Sequence, residues 1–126
     1  MSTETTQEAG VTAYISIGNS DDKLTQAEWS AFVARVDTLL GGPLVRLHGR
    51  WFAAPDVPWQ SACWCIEFDP NRWIVTEWGG PDRRLLEHLH IRLAVLAHAY
   101  RQDSIAWAQA PITELIKPLP ERSEAT

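Results

Sequence analysis

The stretch Leu24-Thr25-Gln26-Ala27-Glu28-Trp29-Ser30-Ala31-Phe32-Val33-Ala34-Arg35-Val36-Asp37-Thr38-Leu39-Leu40 decides the fold. Thr25 and Glu28 stand three apart, the spacing at which a threonine hydroxyl and a glutamate carboxylate satisfy each other's backbone amides at a helix start. Leu24 and Trp29 flank them at the spacing of a hydrophobic staple. Trp29, Phe32, Val33, Val36, Leu39 and Leu40 then recur on one face of a 3.6-residue period. Gly41-Gly42-Pro43 ends the pattern. The reading is a helix with one buried stripe.

The flanking segments have a different period. Upstream, Val11, Ala13, Ile15 and Ile17 alternate with Thr12, Tyr14 and Ser16, which predicts a half-buried strand. Downstream, Leu44 to Ala53 alternates with Val45, Leu47 and Trp51 on one side and Arg46, His48, Arg50 and Phe52 on the other. Ala62 to Phe68 alternates again, with Trp64, Ile66 and Phe68 opposed to Cys63, Cys65 and Glu67, so a hairpin is expected between the two. Asp69 to Arg72 reads as a turn, and Trp73 to Trp78 as a further short strand.

Gly80-Pro81-Asp82 has the proline and acid of a helix start, predicting a second helix with Leu85, Leu86, Leu89, Leu93, Leu96, Ala97 and Tyr100 on its buried side and Ile91 and Val95 opposite. Ile105 to Trp107 reads as a closing strand. This order predicts an α+β domain of ferredoxin-like β-α-β-β-(β)-α-β type, an antiparallel sheet with two helices on one face. Residues 11–116 form that single domain, and the polar stretches 1–10 and 117–126 read as fraying tails.

Composition narrows the function classes. With 126 residues, the chain can bury a core without disulfides or metals. A formal charge of −5 opposes generic nucleic-acid binding, which needs many cations. No apolar run approaches the ~20 residues of a membrane span and no signal segment is evident, so a cytoplasmic location is expected. Cys63 and Cys65 would point the same way from a strand with Cα atoms about 6.5–7 Å apart, an awkward span for a bridge, so both thiols are read as reduced. Seven tryptophans fit either a dense core or an aromatic binding wall.

In the expected topology three polar segments meet at one end of the sheet: Asn19, Ser20, Asp21, Asp22 and Lys23; Trp59 and Gln60 after the prolines of the hairpin loop; and Arg101, Gln102, Asp103 and Ser104. Their meeting is conditional, because a full hairpin at Trp73 to Trp78 would carry the third segment to the other end. A helix N-terminus with Lys23 favours an anion, whereas Asp21 and Asp22 repel one unless a cation bridges, so a ligand of mixed polarity fits best. An indole beside a primary amide can stack on a flat ring and read its edge. Each segment also has a purely structural reading, as solvated turn, folded-back loop or helix terminus.

No metal site is read from the four histidines, since His88 and His90 point about 200° apart on a helix at ~100° per residue. Cys63 and Cys65 would need two further ligands, His48 being one candidate. Tyr14, Arg46, His48, Arg50 and Phe52 resemble in outline the basic and aromatic platform of RNA-recognition domains, without that family's signature on the third strand. Glu67 opposite Arg50 or His48 is more simply a cross-strand pair.

The blocks Gly18–Trp29, Pro58–Trp64 and Tyr100–Trp107 resemble those of small uncharacterised proteins of bacteria and their phages. The resemblance implies no activity; it suggests that the three segments share a surface.

The leading expectation is a non-enzymatic binding domain, without a cofactor, that holds a small polar, nucleotide-like ligand at this loop end. The alternative is a protein-interaction or inhibitor module using the acidic loop surface. The third is a metal-assisted enzyme built on Asp21 and Asp22. Ile91 and Val95 with the Trp73 and Trp78 segment, or the open face of the sheet, could serve a homodimer.

Overall fold

The computed structural model describes residues 10–19, 22–54, 59–75, 82–110 and 114–120. Strand β1 (Val11–Gly18) leads to helix α1 (Gln26–Leu40), followed by β2 (Arg46–Phe52) and β3 (Ser61–Phe68). Two two-residue strands, β4 (Trp73–Ile74) and β5 (Arg83–Arg84), precede helix α2 (Leu85–Ala99) and the last strand, β6 (Ala106–Ala110). The chain is α+β, with a four-stranded antiparallel sheet in the order β2-β3-β1-β6.

Helix α1 begins as its capping residues dictate. The Thr25 hydroxyl accepts from the Glu28 amide at 3.1 Å, and Glu28 Oε1 accepts from the Thr25 amide at 2.9 Å. Such caps are worth about 1 kcal/mol. Leu24 and Trp29 are both buried, and Trp29, Phe32, Val36 and Leu40 carry the stripe into the core. Ala13, Ile15 and Ile17 of β1, Trp64, Ile66 and Phe68 of β3, and Leu85, Leu89, Leu93 and Leu96 of α2 complete one apolar cluster. Both helices therefore cover the same face of the sheet.

Three expectations are corrected. First, alternation does not run unbroken through β2, because the register with β3 slips between Leu47 and Gly49. The bulge absorbs His48 and reverses every side chain after it. Arg50 and Phe52 pair with Trp64 and Ala62 and turn to the helix side, while Trp51, opposite Cys63, turns to the open face. There its ring lies over Gly49, where a Cβ would stand 3.2 Å from Trp51 Cη2. The outlined RNA platform thus loses Arg50 and Phe52.

Second, α2 starts at Leu85 rather than around Pro81. Arg83 and Arg84 instead pair with Ile74 and Trp73, and Glu87 reaches back to the Arg84 amide at 3.3 Å. Within 73–78 only Trp73 and Ile74 are in a described strand; residues 76–81 lie outside the described residues. Third, the closing strand begins at Ala106, one residue later than expected, and runs on to Ala110. Ser20, Asp21, Pro55 to Pro58 and the outermost tail residues also lie outside the described residues. Among the described residues no helix is long and apolar enough to cross a membrane.

Candidate functional site

Because β4 pairs with β5 and stays out of the main sheet, the three polar segments do meet at one end. Asn19 is the hinge of the meeting. It is 2% exposed, the one buried polar residue among those described. Its Nδ2 donates to Leu24 O at 3.1 Å and to Gln60 Oε1 at 3.0 Å, and its Oδ1 accepts from Leu24 N at 3.0 Å. Its backbone amide donates to Gln60 O at 2.9 Å, and its carbonyl accepts from Asp22 N at 3.1 Å. One asparagine thereby holds the end of β1, the entry to α1 and the start of β3 together.

Gln60 is fixed from a second side. Its Nε2 donates to Gln26 Oε1 at 2.9 Å, while Gln26 Nε2 donates back to Gln60 Oε1 at 3.2 Å. Trp59 beside it is half exposed. Together with Trp29, Phe52 and Ser61 these residues line a cleft of about 260 Å³.

The third segment is anchored by the end of α2. Arg101 donates its backbone amide to His98 O at 3.2 Å, and Gln102 donates to Ala97 O at 2.8 Å, the pair of bonds that closes a helix through a left-handed residue. That residue is usually glycine. Here it is Arg101, at φ 54°. Its guanidinium reaches Lys23 O at 3.0 Å and both carboxylate oxygens of Glu28 at 3.0 Å. Lys23 Nζ in turn approaches Arg101 O and Asp103 Oδ1, each at 3.4 Å. Among the described residues Asp22 is the other non-glycine residue with positive φ, at 58°, a conformation aspartate tolerates.

Gln102 caps Tyr100 O at 3.0 Å, and Ser104 is exposed at the rim of a groove between α2 and β6. The cluster's polar groups are thus largely bonded to one another. Glu28 feels this: the Thr25 amide first, then Arg101, hold its carboxyl below the ordinary glutamate range.

Two features went unread in the sequence. Asp37, on the flank of the α1 stripe, accepts the indole N–H of the fully buried Trp64 at 2.9 Å and pairs with Arg50. Burial pushes its carboxyl up, but the indole and the guanidinium together outweigh that and leave it below the ordinary value. A signal was present, since a buried indole demands an acceptor and α1 has carboxylates only at Glu28 and Asp37. Phe52 as a cleft wall was hidden by the bulge.

On the open face His48 bonds Glu67 at 2.9 Å, as the cross-strand reading expected, while Tyr14 hydrogen-bonds Cys65, which pushes the phenol up. Cys63 and Cys65 are both free thiols. Among the described residues no group of three histidine, cysteine or acidic side chains could hold a metal ion. No protein-family profile, curated protein or solved structure matches the chain.

Proposed function

We propose that the protein is a non-enzymatic binding domain that takes a small planar ligand with a polar edge, nucleotide-like in its ring, at the loop end of the sheet. The observation that carries this is the cleft between Phe52 and Trp59, which leave 53% and 50% of their surfaces in water. Two half-exposed aromatic side chains lining one cleft gain apolar burial, and stacking where a ring lies against them, when a flat group enters. At about 260 Å³ the cleft suits a single ring system, since sites for larger molecules run to ~300–1,000 Å³. Gln60, immobilised by Asn19 and Gln26, presents an amide at its mouth. Through Asn19 the cleft joins the loop where Lys23 could meet a negative group, and Asp22 and Asp103 donors.

The strand order, with β1 central and both helices on one face, supports the ferredoxin-like reading, in which loops gathered at one sheet end are held by a rigid scaffold. The exposed carboxylates of Asp22 and Asp103 favour one second reading, an acidic surface for a protein partner.

Native mass spectrometry of freshly purified protein, with thermal shifts against the four ribonucleoside monophosphates with and without magnesium, tests the proposal. A retained mass or a shift that Trp59→Ala abolishes without lowering the melting temperature supports it. A clean apo mass with no shift across the panel contradicts it.

A further inference from the structure

The two edges of the main sheet are treated very differently. An unpaired edge invites another strand, and proteins discourage this with charges, prolines and bulges. At one edge β2 carries Arg46, Arg50 and the bulge at His48. At the other, β6 reads Ala106-Trp107-Ala108-Gln109-Ala110, with neither a charge nor a proline between its ends. Among the described residues it pairs with β1 alone.

The flank of α2 beside this edge carries one charge. From His90 to Ala99 its exposed side shows His90, Ile91, Ala94, Val95, His98 and Ala99, with Arg92 as the one formal charge. Ile91 and Val95 leave 43% and 55% of their surfaces in water. Between helix and strand runs an open groove of about 500 Å³, lined by Leu93, Ala94, Ala97, Ile105 and Trp107, whose ring meets His90 at 4.4 Å, and also by the polar Gln102, Asp103 and Ser104. A strand added to β6 would place alternate side chains in that groove.

We propose that the occupant is a second copy of this chain, bound by antiparallel pairing of β6 with β6 across a two-fold axis near Ala108. The axis sets Trp107 opposite the copy's Gln109 and brings the two α2 flanks side by side. The uncharged strand permits a copy. The chain carries −5, so two copies repel at long range, and a self-complementary contact needs a patch where no like charges face each other. β6 is such an element, since none of its five residues is charged. Two five-residue strands with ten residues of helix on each side bury on the order of 1,000 Å² in total, the lower bound for a specific interface. Because the surviving repulsion is screened by salt, the dimer tightens as ionic strength rises.

Sedimentation velocity of the full chain between 5 and 200 µM tests this, with Ala108→Lys and Val95→Glu as variants on different elements, both exposed. The wild type is expected to pass from monomer to dimer, and each variant to weaken association at least tenfold with its far-ultraviolet circular dichroism unchanged. A wild type that stays monomeric at 200 µM overturns the proposal and leaves the edge to an extended segment of another protein. A dimer that survives both substitutions places the contact elsewhere and overturns it equally.

Discussion

Arg101 and Glu28 tie the end of one helix to the start of the other: a single guanidinium nitrogen lies 3.0 Å from both oxygens of the carboxylate that also caps α1. The arginine does this from a left-handed backbone position, which costs a non-glycine residue roughly 1 kcal/mol. An exposed ion pair returns between nothing and ~1 kcal/mol. The two effects nearly cancel, which makes them separable. Arg101→Gly relieves the backbone and loses the pair, so its stability should stay within about 0.5 kcal/mol of wild type; Arg101→Ala loses the pair and keeps the strain, and should be less stable than the glycine variant by about 1 kcal/mol. Urea denaturation of the three proteins decides. Equal stability of the glycine and alanine variants would mean that residue 101 is not held left-handed.

Asn19 has a larger effect. Truncation to alanine strands the Leu24 amide and carbonyl in a buried setting, and each stranded group costs ~1–3 kcal/mol, so Asn19→Ala should lose about 2–4 kcal/mol. Asn19→Asp should also destabilise, because it keeps the acceptor for Leu24 N but turns two donated bonds, to Leu24 O and Gln60 Oε1, into oxygen–oxygen contacts. The aspartate variant should recover stability as pH falls and its carboxyl protonates. A substitution cost no larger than that of an exposed asparagine would remove Asn19 from its place as the hinge.

Asp37 separates acceptor from charge. Asp37→Ala leaves the Trp64 indole unsatisfied in the core and should cost about 1–3 kcal/mol, whereas Asp37→Asn keeps an acceptor and should cost less. Thermal melts at pH 7 check the order of the two. If the two variants cost the same, the indole bond contributes nothing and the lost pair with Arg50 accounts for the whole effect.

The pH dependence has one sign throughout. Glu28 and Asp37 titrate below their ordinary values of 4.5 and 3.8, so the unfolded chain takes up their protons first, and their contribution is present at neutral pH and lost as pH falls through the folded values. His88 behaves the same way for a different reason. Burial, then Arg92 and Arg83, lower it from 6.5, so the unfolded chain protonates first below that pH and stability declines from there. Stability should therefore fall in two stages on acidification, beginning near pH 6.5. In His88→Gln the first stage should vanish and the second remain. A variant with the full decline between pH 6.5 and 5 would locate the titrating group elsewhere.

The legible parts of the fold were those written in local periodicity and paired end signals. Thr25 with Glu28, and the stripe from Trp29 to Leu40, act within one turn or one face, and they define α1 at both ends. The bulge at His48 is different. It is set by how β2 meets β3; Gly49 is the one local mark of it, and alternation alone puts Arg50, Trp51 and Phe52 on the wrong faces. Pro81 and Asp82 carry a helix-start signal, yet pairing of Arg83 and Arg84 with Ile74 and Trp73 overrides it. At the loop end the meeting of three segments followed from topology alone. That Asn19 is buried as a tie could not, because its partners Leu24 and Gln60 lie five and forty-one residues away.

The most direct test of ring binding at the Phe52–Trp59 cleft is a ¹⁵N correlation spectrum of the tryptophan indoles during titration with the nucleoside monophosphate that gives the largest thermal shift. The seven indole signals report seven places at once. The Trp59 signal should move in a saturable way, while that of Trp64, locked on Asp37 in the core, stays where it is. A titration to saturation in which Trp59 remains still, or in which only Trp107 beside the α2–β6 groove responds, would contradict it.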